Sequence, residues 1–111
     1  LSLFSHLPRS SWARWLKRLF DAVEPGGLLV ISTHGKEAAR RQNVALDETG
    51  FFFAASSESA AIDVQEYGTA FTSESFVRER IAETLGSDCL MGFEPRWFWR
   101  HQDAFVLRRP A

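Results

Sequence analysis

Apolar positions along residues 8–23 recur at helical spacing. Trp12, Trp15, Leu16, Leu19, Phe20 and Val23 fall at i, i+3, i+4, i+7, i+8 and i+11, a single stripe, while Arg14, Lys17, Arg18 and Asp21 take the wet face. Pro8 suits a first helical turn, and Ser10 or Ser11 can cap it. Pro25-Gly26-Gly27 then stops the helix, because proline cannot continue it and glycine accepts positive φ. Residues 28–32 (LLVIS) follow at once, apolar and without alternation. A strand of that kind is covered on both faces, as in the middle of a parallel sheet. Helix, turn and doubly covered strand together predict an α/β layered fold. Thr33-His34-Gly35 leaves the carboxyl end of the strand, the edge at which open α/β sheets bind ligands.

The pattern is less regular downstream. Residues 36–43 read as a short helix, Phe51-Phe52-Phe53 as a short strand or buried plug, and residues 63–72 as a strand around Tyr67 and Phe71. Ser73 caps a second strong helix with Glu74 in its first turn, Phe76, Val77, Ile81 and Leu85 on its apolar side, and Gly86 at its end. Residues 89–93 and 104–107 are two short strands, and the aromatic run between them, residues 95–102, reads as the long loop of a β-hairpin.

Composition narrows the function classes. With 111 residues there is room for one small domain. A hydrophobic content of 45% and a charged content of 24% are those of a chain able to build a core. Ten Phe and four Trp are more rings than such a core needs, so some lie near the surface or await a partner. A net charge of −1 provides no field for nucleic acid or an anionic membrane. Cys89 is alone and reads as a small buried residue, which makes the cytoplasm the default location. No apolar run reaches membrane-spanning length. Histidines at 6, 34 and 101 have no metal-ligand spacing, so no metal is expected. The opening phrase Leu1-Ser2-Leu3-Phe4, apolar and uncapped, reads as a chain entered midway.

The run Leu1-Ser2-Leu3-Phe4-Ser5-His6-Leu7-Pro8, the helix after it, and Glu24-Pro25-Gly26-Gly27-Leu28-Leu29-Val30-Ile31-Ser32-Thr33 resemble class I S-adenosylmethionine-dependent methyltransferases. In that family the first run leaves strand four, the Pro-Gly-Gly turn leads into strand five, and a closing hairpin supplies strands six and seven, with strand seven antiparallel to the rest. The resemblance implies an α/β fold, the C-terminal part of a Rossmann-like methyltransferase sheet, with strands four to seven, two helices and a final antiparallel β-hairpin. Residues 1–111 are then the C-terminal portion of one methyltransferase domain. The family's glycine-rich cofactor loop has no counterpart, since no Gly-x-Gly occurs in the chain. What this implies is an enzyme whose S-adenosylmethionine loop lies outside these residues and whose acceptor is a small molecule. The alternative is a catalytically silent module of the same fold that acts in protein interaction. Either one would leave a sheet edge open to a homodimer.

Methyl transfer from a sulfonium is an in-line displacement that needs alignment above all, and a base only where the acceptor loses a proton. The resemblance places Ser2, Leu3 and Phe4 beside the methyl end of the cofactor. His6 and His34 are the candidate catalytic residues: His6 as base or acceptor-orienting group, against packing beside Trp12, and His34 by its place just past the strand. Tyr67, Trp97, Trp99 and His101 are the candidate substrate-binding residues, against core or hairpin packing for each.

Overall fold

The computed structural model describes residues 3–55, 68–98 and 102–110. It is an α/β protein with three helices and a mixed five-stranded sheet. Helix α1 spans Arg9–Ala22, α2 Lys36–Arg41 and α3 Glu74–Thr84, and short 3-10 turns lie at Leu3–Ser5 and Ser87–Cys89. The strands are β1 (Leu28–His34), β2 (Phe51–Ala55), β3 (Gly68–Thr72), β4 (Leu90–Phe98) and β5 (Gln102–Arg108). Across the sheet their order is β2-β3-β1-β5-β4. The last strand lies between β1 and β4 and is antiparallel to both, whereas β3 is parallel to β1 and β2 antiparallel to β3.

The predicted stripe of α1 is its buried side. Trp12, Leu16 and Phe20 are buried, and Trp15 and Leu19 pack against the same core. The helix begins after Pro8 with no side-chain cap, and Ser11 is buried instead of capping. Gly26 adopts φ +84, the left-handed conformation that the Pro-Gly-Gly turn needs. The C-terminus closes over that turn: Gly26 N–H donates to the Arg109 carbonyl (2.9 Å), and Arg109 N–H to the Gly27 carbonyl (2.9 Å). The Arg109 guanidinium also donates to the carbonyls of Asp21 and Val23, orphan acceptors at the helix end. Helix α3 starts as predicted, with the Ser73 hydroxyl accepting from Phe76 N–H at 3.1 Å.

Register and alternation divide the sheet into two unlike faces. Leu29, Ile31, Phe105, Leu107, Phe93, Ala70, Phe51 and Phe53 join the core beneath α1 and α3. Trp12 is fully buried at its centre, 4.5 Å from the Phe4 ring and 5.7 Å from that of Phe76. The opposite face has a small core of its own, where Ala38, Ala39, Val44 and Leu46 cover Phe71. That cover reaches only the carboxyl end of β1. Leu28 and Val30, on the same face, are 60% and 38% exposed.

The expectation that residues 28–32 are covered on both sides therefore fails over the first half of the strand. Both long helices pack on one face, and α2 is too short to extend along the other. Further expectations are corrected. The short helix read at 36–43 forms as α2, which makes three helices where the resemblance implies two, and residues 3–5 are a 3-10 turn, so no strand four occurs among the described residues. Cys89 is buried as expected, but in a 3-10 turn before β4, its thiol 3.4 Å from the Leu85 carbonyl. Most of the aromatic loop is strand: β4 continues to Phe98 because a bulge between Glu94 and Phe98 absorbs the irregular residues. Among the described residues, no helix is long and apolar enough to cross a membrane.

Candidate functional site

A row of paired residues crosses the sheet at the carboxyl end of β1. His34 pairs with Phe71 on β3 and with Gln102 on β5, and Phe71 pairs with Phe52 on β2. Paired residues point to the same face, so this register alone aligns four side chains on the side away from α1 and α3. The rings approach in sequence: His34 to Phe71 at 5.3 Å between centroids, and Phe71 to Phe52 at 6.3 Å. His6, just past the first 3-10 turn, lies edge-on to His34 at 6.5 Å. The two candidate catalytic histidines, 28 positions apart in the sequence, are thus brought together.

A cleft of about 540 Å³ opens on this row, bounded by His34, Phe71, Phe52 and Thr69 from the sheet and by Arg41 and Val44 from the end of α2 and the segment after it. Gln102 Nε2 lies 3.1 Å from His34 Nε2. With the amide donating, the ring nitrogen accepts and the imidazole proton sits on Nδ1. The Gln102 carbonyl oxygen is buried and has no hydrogen-bond partner among the described residues. Glu37 on α2 is held down to about 2 by hydrogen bonds from Arg40 and then Arg41, so it remains a carboxylate.

A second concavity, about 770 Å³, opens on the other face at the same end of the sheet, between the starts of α2 and α3 and the β4 bulge. Asp103 is its buried acid, 6% exposed. Its carboxylate accepts from Arg96 N–H at 3.0 Å, which fixes the bulge where Arg96 sits at φ +55. Gly35 leaves room for this carboxylate, since any Cβ there would collide with its Oδ2. Burial pushes the Asp103 carboxyl above its ordinary value, the Arg96 N–H opposes this, and the charge of Glu74 adds to the rise.

The other candidates do not gather at the cleft. Leu3 packs on the main core and Phe4 is wholly buried in it, so the Phe4 side chain is a structural group. Trp97 is 63% exposed on β4 and is not part of the cleft wall. Ser2, Tyr67, Trp99 and His101 lie outside the described residues. Sequence reasoning missed Phe52, Arg41 and Gln102. Gln102 falls in the expected loop, and Arg41 in the expected short helix at 36–43, without a role. Only the register of β2, β3 and β5 could have located Phe52 and Gln102, and only the packing of α2 could have located Arg41. No protein-family model, curated protein or solved structure matches the chain.

Proposed function

We propose that the chain is the C-terminal part of an S-adenosylmethionine-dependent methyltransferase domain and forms the acceptor side of its active site. One observation carries the reading. The final strand enters between β1 and β4 against the direction of both, and β1 itself follows a helix and a Pro-Gly-Gly turn, in the order that the resemblance implies. Three findings depart from it: no strand four occurs among the described residues, β2 is also antiparallel to β1, and the amino-terminal half of β1 is uncovered on one face.

The described residues do not themselves fit the cofactor. Phe4 is buried away from any ligand, no Gly-x-Gly loop exists in the chain, and no acidic side chain lines the cleft to hold ribose hydroxyls. The reading therefore assigns cofactor binding to residues beyond these and gives this chain a narrower task. An acceptor that gives up a proton on methylation needs a base within reach, and His34, on the cleft wall with His6 beside it, takes one at Nε2 once the Gln102 amide moves off that nitrogen.

The coding sequence upstream of Leu1 tests this first, where a strand followed by a Gly-x-Gly loop is expected. Calorimetric titration with S-adenosylhomocysteine then separates the cases. The complete gene product binds at micromolar concentration, and the 111-residue chain alone does not. A gene product with neither that loop nor that binding overturns the reading.

A further inference from the structure

The cleft beside His34 has a wall chemistry that selects its occupant. Its floor and side are aromatic: Phe71 is nearly buried, while Phe52 turns over a third of its surface outward. Among the described lining residues Arg41 carries the only formal charge. The Glu37 carboxylate serves both Arg40 (2.6 Å) and Arg41 (3.1 Å), so two guanidiniums share one anion and the end of α2 keeps an excess of positive charge. The Arg41 contact is made through Nε, so Glu37 does not occupy the Nη groups of this cleft-lining guanidinium. The volume is that of a small-molecule site. His34 is the polar residue that the sheet row brings to the cleft wall, with Gln102 bonded behind it.

We propose that this cleft binds a flat aromatic carboxylate. Its ring lies against Phe52 and Phe71, its carboxylate takes the Nη groups of Arg41, and a hydroxyl or amine on the ring points to His34. The assignment names the acceptor class of the proposed methyl transfer and rests on that reading for its chemistry. The binding itself needs neither cofactor nor turnover.

The test is a titration of the full chain, followed by heteronuclear NMR, with three probes: 4-hydroxybenzoate, 4-hydroxybenzamide and cyclohexanecarboxylate. The aromatic acid binds about tenfold more tightly than its amide, the ratio expected of one charge-assisted pair, and more tightly than the saturated acid. Arg41→Gln brings the acid down to the level of the amide and leaves the amide unchanged, while Phe52→Leu weakens both aromatic probes together. Both substitutions are at exposed side chains, and unchanged melting curves establish that the fold is kept. Equal affinity for acid and amide, an Arg41→Gln chain that still prefers the acid, or no saturable shift with 4-hydroxybenzoate overturns the proposal. An acid that binds to a gene product with no affinity for S-adenosylhomocysteine supports the cleft and removes the methyl-transfer reading. Cofactor binding without acid preference does the reverse.

Discussion

Asp103 couples chain geometry to acidity. Its carboxylate tethers the β4 bulge through Arg96 N–H and fills the space that Gly35 leaves free, and burial holds its folded-state value above 3.8. A carboxyl raised on folding keeps its proton longer in the folded chain than in the unfolded one. Its contribution is therefore complete below the ordinary value and is lost as pH rises through the raised one. Asp103→Asn keeps an oxygen to accept from Arg96 and never ionises. The variant is expected to be more stable than the parent at about pH 7, with the advantage disappearing by about pH 3. Urea denaturation at both values measures this, and an advantage that does not change with pH would show that ionisation of Asp103 plays no part. The sequence named neither partner of this carboxylate, because Gly35, Arg96 and Asp103 come together only through pairing of three segments.

Among elements, β1 shows most clearly what a continuous apolar run can and cannot announce. Ile31 is fully buried and Val30 is 38% exposed, though both are β-branched and adjacent. Val30→Thr is expected to change stability by no more than about 0.5 kcal/mol. Ile31→Thr places a hydroxyl in the main core and removes packed methyl groups, at a cost of about 2 kcal/mol or more. Chemical denaturation of the pair separates the faces, and equal losses would mean that Leu28 and Val30 are covered in solution. Helices α1 and α3, the turn at Gly26 and the terminal hairpin were legible because each rests on local chemistry: a 3.6-residue stripe, a serine cap, a glycine and two apolar runs. Coverage of the second face of β1 is set by how far α2 and the segment after it reach back along the strand, so the run itself cannot report it. The candidate site was half legible. His34 follows from its place after the strand, and His6 came from the resemblance. Phe52 and Gln102 depend on which residues lie opposite one another, information that a single sequence does not print.

For the whole molecule, stability is unevenly spread. The seven-residue pairing of β1 with β5 lies under α1 and α3, whereas β3 meets β1 at a single register pair, His34 with Phe71. Amides of residues 104–107 are expected to exchange with solvent at least about tenfold more slowly than those of β2 and β3. Native-state hydrogen exchange reads this directly, and uniform protection over all five strands would contradict it.

That lone junction decides what the cleft is made of. Were β3 to slide by one residue, Ala70 or Thr72 would stand beside His34 and the bulky ring of Phe71 would be thrust among Phe51, Phe53 and Phe76, where the wholly enclosed Ala70 now fits. A methyl-sized side chain on the crowded side thus acts as a ratchet tooth, blocking the slip by bulk where hydrogen bonds are too few to do so.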